Sequence, residues 1–132
     1  MTLCLTLTNG SSSPVDVVLP GDLLFKAAIV DHPYQNGIVG QPISITVPTG
    51  THVYVIDLYC TDAHLNPSDP DSRYGFGPIV SNPDLTRVVD ILKSKQPVRP
   101  GQYAATVQFA IWDITNNGGL TSADLSDLNA LP

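Results

Sequence analysis

Along the first 60 residues, apolar and polar side chains alternate with a period of two. Thr2-Leu3-Cys4-Leu5-Thr6-Leu7-Thr8 alternates without a break. Residues 2–8 therefore predict a strand, with its leucines on one face and Cys4 on the polar face. Asn9-Gly10 opens a Ser-rich turn, and residues 14–19 predict a second strand. After Pro20-Gly21-Asp22, residues 23–30 are apolar on both faces, which predicts a central strand. Residues 31–37 read as a loop and Ile38-Val39 as a short strand. Ile43, Ile45 and Val47 alternate with Ser44 and Thr46, giving a half-buried strand over 42–47. Pro48-Thr49-Gly50 then turns into the longest strand, 52–60. In it Tyr54, Ile56, Leu58 and Cys60 share one face, and Asp57 lies on the other. Short strands with regular turns predict an antiparallel β-sandwich or barrel-like half. With no helix between strands, a parallel strand-helix-strand layout is disfavoured.

The period changes after Cys60. Residues 61–81 read as a long polar loop, a length uncommon outside functional segments. Asn82 caps a helix with Pro83 at its first position, and Leu85, Val88, Val89 and Leu92 form its apolar stripe. A second helix, about 102–115, places Tyr103, Val107, Ala110, Ile111 and Ile114 on one face. Asn116-Asn117-Gly118-Gly119 ends it. Thr121, with Asp124 three residues on, caps a short third helix. The organisation is a single α+β domain. Residues 1–60 form a strand-rich half, 61–81 a loop, and 82–132 a half with two to three short helices.

Composition narrows the setting. The chain has 132 residues, enough to bury a core, with 42% hydrophobic and only 14% charged residues. All 12 acidic residues are Asp, which favours turns and caps over helix interiors. The net charge is −6 and the six Lys and Arg are scattered singly. That argues against a nucleic-acid partner. No apolar run approaches the roughly 20 residues of a membrane span, so no membrane insertion is expected. Met1 leads straight into a strand. Either the chain is intracellular or, as a surface rich in Thr, Ser, Asn and Gly favours, it is a domain of a larger secreted or cell-surface protein. The two cysteines permit one disulfide, but an outward Cys4 and an inward Cys60 are poorly placed to form it. His32, His52 and His64 lack zinc-ligand spacing, and a Cys60–His64 dyad has no third group.

Two constellations carry chemistry. The first joins Tyr59-Cys60-Thr61-Asp62 to Thr106-Val107-Gln108-Phe109-Ala110-Ile111-Trp112. This pairing resembles the Thr-Gln-x-Ala type of thioester domain in Gram-positive bacterial surface adhesins. The likeness is local, over about residues 54–115. Val107 separates Thr106 from Gln108, and the Cys–Gln spacing of 48 residues (108 − 60) is short for the family. The resemblance implies that the Cys60 sulfur and the Gln108 side-chain carbonyl form an internal thioester with loss of ammonia. It further implies cell adhesion by covalent capture of an amine on a protein or other surface ligand. Such a domain acts once and is not an enzyme. The residue types suit the chemistry, because a thiolate is a strong nucleophile and a primary carboxamide can become an acyl donor. Tyr59, Phe109 and Trp112 are the expected shield against water. Trp112, four residues after Gln108, falls on the same helical face. The N-terminus of that helix is the expected polariser of the carbonyl oxygen. The alternative is a non-covalent structural or interaction β-domain, with a buried cysteine and a hydrogen-bonded glutamine.

The second constellation is Asp113, Thr115, Asn117, Thr121 and Asp124, spaced like the oxygen ligands of an EF-hand-type calcium loop. With only two carboxylates it predicts a weak calcium site. The competing reading is a helix, a glycine turn and a capped helix. No other cofactor is indicated.

Overall fold

The computed structural model describes residues 1–28, 33–98 and 102–132. It shows a mixed α+β chain: antiparallel strands over the N-terminal two-thirds, then three helices. The strands are β1 (Thr2–Asn9), β2 (Val15–Leu19), β3 (Leu23–Ala27), β4 (Gly37–Ile38), β5 (Ile43–Val47), β6 (Gly50–Asp57), β7 (Tyr59–Cys60) and β8 (Tyr74–Ile79). The helices are α1 (Pro83–Lys93), α2 (Ala104–Asn116) and α3 (Ser122–Asn129). β1 pairs with β6 and β2 with β5 as two ribbons; the other four strands form a sheet in the order β7-β4-β3-β8. The end of the expected 23–30 strand lies outside the described residues.

Two cores divide the molecule. Leu5, Leu19, Phe25, Val39, Val47, Ile56 and Leu58 enclose the first, between the ribbons and one face of the four-stranded sheet. Ile38 begins the second, with Leu85, Val88 and Leu92 of α1, Val107, Ala110, Ile111 and Ile114 of α2, and Leu128 of α3. Leu24 and Tyr59 pack against this second core. Period-two alternation thus puts Phe25 on one side of the sheet and Leu24 on the other. The apolar stripe expected for α1 is buried in full.

Three expectations change. The strand 52–60 is two strands in different sheets. β6 ends where Asp57 pairs with Thr2, Leu58 exchanges hydrogen bonds with Met1, and Tyr59–Cys60 then joins β4. The partner changes while the side-chain alternation continues. The 61–81 segment is not all loop, because Tyr74-Gly75-Phe76-Gly77-Pro78-Ile79 forms β8 against β3. Pro78 is tolerated there because β8 lies at the sheet margin. A Cβ at Gly77 would come within 2.9 Å of the Leu24 carbonyl oxygen, so this close pairing requires glycine. Finally, Tyr103 is not on the buried face of α2. It sits before the helix with φ 59° and is exposed.

The helix ends follow their residues. Asn82 accepts from the main-chain N–H of Asp84 and Leu85, and Thr121 with Asp124 forms a reciprocal capping box. Gly118 and Gly119, at φ 95° and 139°, turn the chain from α2 towards α3.

Candidate functional site

β7 is the outermost strand of its sheet. Its neighbour β4 pairs Ile38 with Tyr59 and Gly37 with Cys60. The N–H and C=O of Cys60 are taken by α2. The Cys60 N–H donates to Gln108 Oε1 at 2.9 Å, and Gln108 Nε2 donates to the Cys60 carbonyl at 2.8 Å. A side-chain carboxamide thus occupies the place of one more strand. Its acyl carbon lies one bond inside both hydrogen-bonding atoms, about 4 Å from the Cys60 main chain.

Further contacts seat α2 on the chain after Cys60. Thr115 Oγ1 donates to the Thr61 carbonyl at 2.6 Å, and Asn116 Nδ2 donates to the same oxygen at 3.0 Å. Asn116 Oδ1 accepts from the Ala63 N–H at 3.3 Å. Gln108, Thr115 and Asn116 therefore form a polar stripe beside the apolar one, at helical spacings of seven and eight. That spacing stands in the sequence, where Thr115 also fits a calcium loop and Asn116 the turn that ends the helix. Across the junction, Asp62 accepts from the Asn36 N–H and from Thr61 Oγ1, which ties the segment back to β4.

Cys60 and Gln108 are both half-buried. Burial pushes the Cys60 thiol above its ordinary range; the Met1 ammonium partly opposes this, and Asp62 adds a smaller upward push. At neutral pH the group is a thiol rather than a thiolate. The Tyr74 phenol is also raised, first by burial and then by the charge Cys60 would carry, and its hydroxyl donates to the Gln35 carbonyl. Cys4 is exposed on β1, and both cysteines are free.

The three aromatic residues expected to shield the pair differ in exposure. Trp112 is half-buried, and its indole Nε1–H is enclosed without a hydrogen-bond partner among the described residues. Phe109 is 59% exposed and meets Trp112 edge-on, with ring centroids 6.0 Å apart. Tyr59 belongs to the helical side of the sheet. A Cβ at Gly40 would meet its ring at 2.6 Å, so only a glycine lets the ring lie there. Burial, with a smaller push from Asp57, raises its phenol to about 12. The group that polarises the Gln108 carbonyl is the Cys60 main-chain N–H. The expected donor was the N-terminus of α2.

The five calcium candidates make other hydrogen bonds among the described residues. Thr115 turns to Thr61 and Ile111, Asn117 donates its side-chain N–H to Asp113, and Thr121 and Asp124 hold each other in the cap. Asp113 is inside α2 and Asp124 inside α3. Among the described residues no cluster of three His, Cys, Asp or Glu could hold a metal ion. His32 lies outside the described residues.

No family model, curated protein or solved structure matches this chain.

Proposed function

We propose that this chain is a surface adhesion domain whose Cys60 and Gln108 form an internal thioester, used for covalent capture of amine nucleophiles. In the forming step the Cys60 sulfur attacks the Gln108 carboxamide carbon. The thiol proton passes to Nε2, the C–N bond breaks and ammonia leaves. In the capture step a primary amine attacks the same carbon, forming an amide and returning the Cys60 thiol. Each domain makes one bond and does not turn over. The setting is a secreted or cell-surface protein of bacterial type, of which this chain is one domain.

The observation that carries the reading is the two-point docking of Gln108 on Cys60. It holds the acyl carbon beside the residue that bears the nucleophile. It also aims an N–H at the oxygen on which negative charge develops, the arrangement that stabilises a tetrahedral intermediate. The half-buried setting limits water while leaving a path for a nucleophile.

Intact mass spectrometry tests it. A thioester lowers the mass by about 17 Da, and methylamine then adds about 31 Da at Gln108. Cys60→Ala abolishes both changes. A chain at full sequence mass that ignores methylamine overturns the reading. A second reading, a non-covalent structural or interaction domain, draws on the raised thiol pKa. There Gln108 serves only to close the open margin of β7.

A further inference from the structure

We infer that the groove between β1 and β8 is a strand-addition site for an extended peptide carrying an acidic residue, separate from the Cys60–Gln108 pair. The groove has a volume of about 540 Å³. One wall is the five consecutive residues from Thr2 to Thr6 of β1, and the other runs from Ser72 to Phe76 into β8. Phe25 reaches the groove from the first core.

Both walls are unpaired strand margins. Among the described residues β1 pairs only with β6, and β8 ends its sheet. Met1 and Leu58 exchange both main-chain hydrogen bonds. By antiparallel alternation Leu3 and Leu5 also bond β6, which leaves the N–H and C=O of Thr2, Cys4 and Thr6 turned outward. On β8, the Ala28 N–H bonds the Arg73 carbonyl. The same alternation turns the main chain of Tyr74 and Phe76 outward. A guest of about five residues spans this stretch at roughly 3.3 Å per residue. Bonded to both walls, it would join the β1–β6 ribbon and the four-stranded sheet into one. Peptide addition at such margins draws affinity from main-chain hydrogen bonds.

Charge selects the guest. Asp69 and Arg73 both line the groove. The Asp69 carboxylate is already held by Tyr34, Ser72 and the Asp71 N–H. The Arg73 guanidinium donates only to the Pro70 and Ser72 carbonyls, and among the described residues it faces no carboxylate partner. An acidic side chain or a C-terminal carboxylate on the guest supplies one. The exposed Phe76 ring favours β-branched or aromatic side chains beside it.

The test uses fluorescein-labelled Thr-Val-Thr-Val-Thr-Val-Asp and its reversed sequence, which cover both strand directions. Controls are the Asn counterparts and versions N-methylated at alternate residues. Fluorescence anisotropy is expected to show one direction binding with a Kd below 1 mM. N-methylation should weaken it at least tenfold. Arg73→Ala should remove the preference for Asp over Asn and leave the Asn peptide unaffected. Bound peptide should also slow alkylation of Cys4 by iodoacetamide, read by mass mapping. Absence of binding in both directions, indifference to N-methylation, or unprotected Cys4 in the bound state overturns the proposal. None of these readouts depends on thioester formation.

Discussion

Removing Cys60 and removing Gln108 have different costs with and without a covalent bond. With hydrogen bonds alone, Cys60→Ala leaves both main-chain contacts to Gln108 in place. Its cost is the packing of one half-buried thiol, on the order of 1 kcal/mol or less. Gln108→Ala removes two hydrogen bonds worth about 1 kcal/mol each, so it costs about 2 kcal/mol. With a thioester, either substitution also removes a cross-link that closes a segment of 48 residues (108 − 60). The loop-closure relation used for disulfides gives about 14 cal/mol/K for such a segment, or about 4 kcal/mol at 25 °C. Cys60→Ala is therefore the informative variant, with expected losses of about 4 against about 1 kcal/mol. Urea unfolding followed by Trp112 fluorescence measures this directly. We expect Cys60→Ala to cost about 4 kcal/mol or more, and Gln108→Ala at least as much. A Cys60→Ala protein within about 1 kcal/mol of its parent, beside a Gln108→Ala protein weakened by about 2 kcal/mol, refutes the covalent bond. It would leave the hydrogen-bonded margin as the role of Gln108.

Three more outcomes follow from the geometry. Burial raises the Asp22 pKa above 3.8, and one of its carboxylate oxygens lacks a partner among the described residues, so the ionised form destabilises the fold. Asp22→Asn, which suits the φ of 66° there, should raise the melting temperature at pH 7. That advantage should shrink as pH falls through the raised folded-state pKa towards 3.8, because the native carboxyl then takes up its proton. Thr115→Val and Asn116→Ala should each cost about 1 kcal/mol by loosening α2 on Thr61; their double variant, measured in urea, should fall short of the sum because both donate to one oxygen. Calcium at millimolar concentration should leave the melting temperature unchanged; a rise of several degrees would show that the Asp113–Asp124 oxygens can rearrange into a site.

The sequence made the elements that bury one face legible. β1, β5 and α1 follow their hydrophobic periods, and the caps at Asn82 and Thr121 follow from residue type. Features set by distant partners were not legible. Nothing in 52–60 marks Leu58 as the point where the chain leaves β1 for β4, because alternation is the same on either side. β8 was hidden because Gly75, Gly77 and Pro78 are turn residues by propensity, and only the margin beside β3 makes them a strand. At the site, the residue pair was legible from the sequence, but its geometry was not. That Gln108 would meet the Cys60 main chain depends on how α2 lies against β7.

The four-stranded sheet has one margin closed by a carboxamide and the opposite margin, at β8, uncovered. An assembly growing by strand addition needs two open sides, one to accept and one to offer. Closed at β7, this sheet can accept a neighbour at β8 but cannot pass the pattern on. Gln108 thus blocks growth of this one sheet through β7, and a chain deprived of it is the one to watch for turbidity at high concentration.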